Sequence, residues 1–342
     1  YTTVPYSVNY AQRLGIKIVK SDENLALALG GLTEGVTQRE ICGAYMTYAN
    51  GGNYSKPTFV NKITDKYGNI LYMHNKNEQA ATNAAVSYMI SDMLKDTVKN
   101  GTAKKLSNLK YDVAAKTGTV AAKVGNSDAW CALYTSLDTL CVWQGNSSMK
   151  SNNMLDNKIT GGSYPTVMAR QILSNLYKSA PDAFRMPESL KNTAFDKYSI
   201  ENDHSLRLAG DYTPDEFIIY DLAPTENTVP VSEYFSLPNV NNFEVKNESG
   251  SVEITFDALP FYSYNIYRQQ LMEKTLINTI SGKNGKTVLS DTPRSGIAIY
   301  SVVPFFVSKG QLISGSQSAT KGIYYTGEPP TPFYKEDFSI LE

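Results

Sequence analysis

Lys116-Thr117-Gly118-Thr119 lies between two apolar, strand-like runs, Tyr111 to Ala115 and the one that opens at Asp128-Ala129-Trp130. A strand at the border of a sheet keeps a row of free N–H and C=O groups, which can pair with an extended peptide. Glycine at 118 removes a side chain that would hold such a peptide off the strand. Working outward, Asp112 to Thr119, Ala129 to Tyr134 and Thr139 to Gln144 alternate with turns and predict an antiparallel sheet. Tyr164 to Tyr177 has helical spacing, with Val167, Met168, Ile172, Leu173 and Leu176 predicted on the face that crosses this sheet. Upstream, Thr37-Gln38-Arg39-Glu40 is a capping box that starts a helix, and Asn50-Gly51-Gly52 stops it. Phe59 to Thr64 and Ile70 to Tyr72 flank Lys66-Tyr67-Gly68-Asn69 as a hairpin. From Thr82, the residues Ala85, Val86, Met89, Ile90, Met93, Leu94 and Val98 recur every three or four positions until Asn100-Gly101, a second helix. Helices laid over an antiparallel sheet give an α+β fold.

The chain has 342 residues, enough for two or three domains, with 42% hydrophobic and 19% charged residues. A formal net charge of -1 and the lack of basic clusters give no reason to expect a nucleic-acid partner. No apolar run reaches the roughly 20 residues that cross a bilayer, and no signal-peptide pattern stands at the start. Cys42, Cys131 and Cys141 lack Cys-x-x-Cys spacing, so neither a zinc site nor a disulfide framework is indicated, and no cofactor or metal is expected. Buried free thiols are the expected state; a Cys131–Cys141 disulfide between adjacent strands is the alternative. His74 and His204 stand apart in polar sequence and read as surface residues, which argues against a histidine-based triad.

Lys-Thr-Gly belongs with Ser-x-x-Lys and Ser-Asp-Asn to the signature set of penicillin-binding proteins and class A β-lactamases. Its neighbours strengthen the likeness: Leu27-Ala28-Leu29-Gly30-Gly31, Glu34-Gly35-Val36-Thr37, Ala44 to Gly52, and Val142-Trp143-Gln144-Gly145 downstream. Over roughly residues 6 to 178 the chain resembles the second half of the transpeptidase domain of class A (bifunctional) penicillin-binding proteins. The resemblance implies a penicillin-binding/β-lactamase-like fold and peptidoglycan D,D-transpeptidation by serine acyl transfer, with stem peptides and β-lactams as partners. It implies that Lys116 supplies positive charge beside the nucleophile, that the hydroxyls of Thr117 and Thr119 hold the donor carboxylate, and that the Thr119 N–H forms half of an oxyanion hole. Asp128 and Trp130 are expected to be core.

The family's serine nucleophile is not evident. Ser107-Asn108-Leu109-Lys110 runs directly into the motif strand, and Ser147-Ser148-Met149-Lys150 and Ser318-Ala319-Thr320-Lys321 follow it. Ser7-Val8-Asn9 matches Ser-x-Asn formally, but it reads as part of a helix that ends near Gly15, and Ser151-Asn152-Asn153 is a loop. The chain is therefore expected to be a fragment, inactive by itself, whose nucleophile and membrane anchor lie in a missing N-terminal part. The full protein would be extracytoplasmic, in the cell envelope. A non-catalytic wall-binding scaffold and a D,D-carboxypeptidase or β-lactamase-like hydrolase are the competing readings.

Beyond Ala180-Pro181, prolines at 187, 214, 224, 230 and 238 mark a linker over 181–241. From Asn242, seven strand-like runs follow: Phe243 to Lys246, Val252 to Ala258, Ser263 to Arg268, Leu276 to Ser281, Thr287 to Ser290, Ile297 to Val307 and Gln311 to Ser316. Short strands at this spacing predict an all-β sandwich. Val252 to Phe256, Tyr264 to Arg268, Ser290-Asp291-Thr292 and Tyr300 to Pro304 resemble a fibronectin type III module, with Phe256 where that family often has Trp; an unrelated immunoglobulin-like sandwich is the alternative. The expected domains are 1–180, transpeptidase portion; 181–241, linker with short local structure; 242–326, sandwich; and 327–342, tail.

Overall fold

Local chemistry sets the helices of the first part of the chain. In the computed structural model, which describes residues 2–146, 154–226, 229–236, 240–248, 250–283 and 285–327, α1 runs Val4–Arg13. The Thr3 side chain accepts from the Tyr6 N–H at 3.4 Å and Pro5 occupies the first turn, where its missing N–H costs nothing. Ser7-Val8-Asn9 falls in mid-helix, with Val8 buried. Helix α2, Gln38–Ala49, begins at the predicted capping box: Thr37 Oγ1 accepts from the Glu40 N–H at 3.2 Å and Glu40 Oε2 from the Thr37 N–H at 2.8 Å. It stops where Gly52 turns at φ +99°; a Cβ there would also sit 2.5 Å from the Thr82 carbonyl oxygen. Strands β1 (Asn53–Ser55) and β4 (Glu78–Ala80) pair, and between them β2 (Lys62–Thr64) and β3 (Ile70–Met73) form the expected hairpin. Helix α3, Ala84–Lys99, is capped by the Asn83 side chain, which accepts from the Val86 N–H at 2.8 Å.

The predicted sheet follows: β5 (Ala114–Ala121), β6 (Asn126–Tyr134) and β7 (Thr139–Gly145), antiparallel in the order β5-β6-β7. Register assigns its faces. Ala115, Leu133 and Leu140 stand opposite one another, as do Thr117, Cys131 and Val142, and these rows share one face. That face packs on Ala169 and Leu173 of helix α4, Tyr164–Leu176. The face of α4 agrees with the sequence expectation at Ile172 and Leu173, which pack on the sheet core, and departs from it elsewhere: Pro165, Thr166 and Ala169 are buried, while Met168 and Leu176 are more than half exposed, because small residues let the helix approach the sheet closely. The opposite face carries the rows Lys116, Ala132, Cys141 and Ala114, Tyr134, Thr139. It meets α2 and α3: the Tyr134 ring lies edge-on to Tyr45 at 6.3 Å and its hydroxyl is 2.8 Å from Ser91 Oγ. Cys131 and Cys141 therefore point to opposite sides of the sheet. Adjacent strands do not suffice for a disulfide when the register places the two residues out of phase, and all three cysteines are free.

The described residues divide into two units, Tyr1–Lys191 with Pro224–Glu226 and Asn192–Ala223 with Asn227–Glu342. In the second, the segment that the sequence reads as linker holds α5 (Lys197–Asp203) and most of the paired strands β8 (Leu190–Asp196) and β9 (Ile218–Pro224). Its rings gather: Tyr198 meets Phe261 at 4.3 Å and Phe235 meets Phe217 at 5.2 Å. Strands β10 (Asn241–Glu248), β11 (Ser251–Ala258), β12 (Ser263–Gln270), β13 (Glu273–Ser281), β14 (Gly285–Asp291), β15 (Gly296–Ser308), β16 (Gln311–Ser314) and β17 (Lys321–Tyr325) follow. One sheet runs β10-β11-β14; the other runs β13-β12-β15-β16, with β17 also on β15. Val252, Ile254 and Phe256 of the first share one core with Tyr264, Ile266, Tyr300 and Val302 of the second. Ser318 has a structural task there, its Oγ accepting from the Val302 N–H at 2.8 Å. The tail beyond 327, the Ser147 to Lys150 match and the Ser151-Asn152-Asn153 loop lie outside the described residues. Among the described residues no helix is long and apolar enough to cross a membrane.

Candidate active site

Lys116, Thr117, Gly118 and Thr119 all lie on β5, which pairs with β6 alone and is the border of its sheet among the described residues. Two side chains reveal which backbone groups face outward. Thr97 Oγ1 donates to the Ala115 carbonyl, and Lys116 Nζ donates to the Thr117 carbonyl at 2.8 Å. In an antiparallel pair, alternate residues send both backbone groups toward the partner and the intervening ones send both away. Ala115 and Thr117 thus face away from β6, and by the same alternation so do the N–H and C=O of Thr119. That the N–H and C=O of Thr119 point outward from the border follows from register alone.

The four side chains are distributed by the pleat. Lys116 is exposed and lies on the face that meets α2 and α3, in register with Ala132 and Cys141. Thr117 and Thr119 lie on the other face, where each has a partner from a distant stretch of sequence. Thr102 Oγ1 is 2.5 Å from Thr117 Oγ1, and the Gly161 N–H donates to Thr119 Oγ1 at 3.1 Å. Gly118 stands opposite Trp130, and a Cβ at 118 would meet Trp130 Cβ at 3.4 Å. That is ordinary cross-strand contact, so the sheet itself does not demand glycine here.

Thr97, Thr102 and Gly161 escaped sequence reading. Asn100-Gly101 signalled only the end of α3, yet the turn it makes delivers Thr102 to β5. Gly161 stands where nothing larger fits: a Cβ would lie 2.3 Å from the Trp130 carbonyl oxygen and 2.6 Å from that of Gly118. Its own carbonyl accepts from Thr166 Oγ1 at 2.6 Å, which ties this turn to α4. Gly161→Ala should therefore force backbone apart from backbone, an overpacking of about 1–3 kcal/mol. For a unit of this size the unfolding midpoint should fall by roughly 3–10 °C; an unchanged midpoint in a thermal melt would show that the turn is not clamped to β5.

Asp128 and Trp130, expected in the core, are only half-buried. Asp128 Oδ1 accepts from Trp143 Nε1 at 2.8 Å, and the two indoles lie 6.0 Å apart, so the carboxylate fixes one ring and that ring supports the other behind Gly118. The formal Ser-x-x-Lys match at Ser107 lies in turns after a short 3-10 helix, not on a helix of its own. No serine among the described residues hydrogen-bonds to Lys116 or Thr119.

Residues 10–172 match the Transpeptidase family, described as "Penicillin binding protein transpeptidase domain". Penicillin-binding protein 1F of Bacillus subtilis is 29% identical over 300 residues, covering 87% of this chain and 37% of that protein. Penicillin-binding protein 1A/1B of the same organism is 27% identical over 276 residues, covering 73% of this chain and 29% of that protein. The chain thus spans about a third of the length of these relatives. Among solved structures, penicillin-binding protein 1A from Haemophilus influenzae superposes with a TM-score of 0.53 at 17% identity, over 67% of this chain and 37% of that one. That likeness is one of fold.

Proposed function

We propose that residues 10–172 are the later part of a penicillin-binding protein transpeptidase domain, and that the protein carrying them cross-links peptidoglycan stem peptides by serine acyl transfer. The observation that carries this reading is the open border of β5 among the described residues: a Lys-Thr-Gly-Thr strand whose Thr119 N–H and C=O face away from its partner β6. A stem peptide would add there as a further strand, held by main-chain hydrogen bonds, while the lack of a side chain at Gly118 lets it approach.

In this reading the Thr119 N–H forms half of an oxyanion hole, with the nucleophile's own N–H as the other half. Lys116 supplies positive charge beside the nucleophile. Thr117 and Thr119 hold the donor carboxylate with their hydroxyls, and Thr102 and Gly161, which already hydrogen-bond those hydroxyls, hold them in place. In this reading a Ser-x-x-Lys segment of the full-length protein supplies the nucleophile, a membrane anchor holds the protein, and the site works outside the cytoplasm in the cell envelope. The same serine would take a β-lactam. The eight strands among the described residues after 240 are read as a fibronectin type III-like sandwich.

Intact-mass measurement after incubation with a penicillin tests the assignment. The full-length protein should gain one penicilloyl group, and residues 1–342 alone should gain none, because no serine among the described residues has the nucleophile's setting. A stable one-to-one adduct on the isolated 342 residues would place the nucleophile within them. A full-length protein that took up none would favour the non-catalytic scaffold.

A further inference from the structure

The cysteines that form no disulfide and belong to no metal site are not equivalent. Cys131 is fully buried on the α4 face of the sheet. Cys42 of α2 and Cys141 of β7 lie on the opposite face, where α2 packs against β7 and each thiol influences the acidity of the other. Both are only half-buried. Two surface clefts converge on Cys42. One, of about 480 Å³, is lined by Thr37, Gln38, Arg39, Pro57 and Phe59; the other, of about 390 Å³, by residues that include Met46, Asn50, Pro57 and Lys76. A reagent can therefore reach Cys42 from the surface while Cys141 waits behind it.

We propose that Cys42 and Cys141 are a dithiol modification site, in which Cys42 is the attacking and Cys141 the resolving thiol toward small disulfides entering these clefts. Cys42 loses its proton to solvent and its sulfur attacks one sulfur of the reagent R–S–S–R; the S–S bond breaks and one R–S⁻ leaves to be protonated as R–SH. Cys141 then loses its proton and attacks the Cys42 sulfur of the mixed disulfide, expelling the second R–S⁻. Two thiols become one disulfide, and the reagent takes up the two electrons and two protons as two R–SH. The product is a covalent link between α2 and the row of the sheet that carries Cys141, Ala132 and Lys116.

Thiol ionisation runs the same way. The hydrogen bond from Cys141, with help from its backbone N–H and against the opposing effect of burial, holds the Cys42 thiol down to about 7. The same contact, and burial, push Cys141 up, so it reacts second. Burial also raises Cys131, with only Thr166 opposing.

The test uses the 342-residue chain with 2-hydroxyethyl disulfide as the probe. Non-reducing peptide mapping should find Cys42 joined to Cys141 and Cys131 free, with the intact mass lower by two hydrogens and the unfolding midpoint raised until dithiothreitol reverses it. Cys141→Ser should arrest the reaction as a hydroxyethyl adduct on Cys42, formed at least about ten-fold faster than any on Cys131. Cys42→Ser should leave Cys141 unmodified on that time scale. A wild-type chain that keeps the mixed disulfide without closing it, or a Cys42 no more reactive than Cys131, would overturn the proposal.

Discussion

Lys116→Ala in the full-length protein should slow acylation by a β-lactam by about 10²–10³-fold while leaving the unfolding midpoint almost unchanged. The two effects separate because of where the side chain sits. Lys116 is exposed on a border strand, and its hydrogen bond goes to the Thr117 carbonyl of its own strand, so its removal strips nothing from a core. Surface substitutions of this kind stay within about 0.5 kcal/mol. Loss of a preorganised group that meets developing charge costs about 2.7–4 kcal/mol in the transition state instead. Second-order acylation rates and thermal melts of both proteins decide between the two outcomes. A variant acylated as fast as the parent would return Lys116 to the status of a solvated surface lysine and remove the main support for the proposed site.

The chemistry that was legible in the sequence is the chemistry that acts locally. The capping box at Thr37 and Glu40, the periodicity of α3 and the alternation that gives β5, β6 and β7 all depend on neighbours within a few residues, and each element formed where its pattern placed it. The border position of β5 was legible too, as an expectation about a strand that opens a sheet. Contacts that close over long separations were not. Thr102 and Gly161 reach β5 from positions 15 and 42 residues distant from their partners, and nothing in either segment announces a hydrogen bond to a threonine hydroxyl. On α4 the expected face holds at Ile172 and Leu173 but not at Met168 and Leu176, because close packing on the sheet selects the small Thr166 and Ala169 beside them. The cysteines show the same limit. Adjacent strands suggested Cys131 with Cys141, but a one-residue offset in register sends them to opposite faces and brings Cys42 to Cys141 instead. The β2–β3 hairpin formed as its turn residues require, Asp65 Oδ1 accepting from Tyr67 and Asn69, yet its apolar side chains at Ile63, Ile70 and Leu71 are exposed, which no turn signal foretells.

Phe256→Ala should have the largest effect on stability, confined to the second unit. Phe256 is fully buried on β11, its ring 5.0 Å from that of Tyr264 on β12, so it bridges the two sheets that share this core. Emptying such a site costs about 3–5 kcal/mol, the transfer of the lost ring plus the cavity it leaves. Against a domain stability of about 5–15 kcal/mol, that is a large fraction of the whole. The second unit should then melt on the order of 6–20 °C lower, since each kcal/mol moves the midpoint of a domain of about 150 residues by about 2–4 °C. Phe256→Leu retains most of the volume and should fall only slightly. If the C-terminal strands fold on their own core, calorimetry of the Ala variant should show one transition displaced and another in place. Acylation of the full-length protein, which depends on β5 and its surroundings, should continue at the parent rate below the displaced transition. A single transition that moves as a whole would mean instead that the two units unfold together, and a separate C-terminal domain would have to be given up.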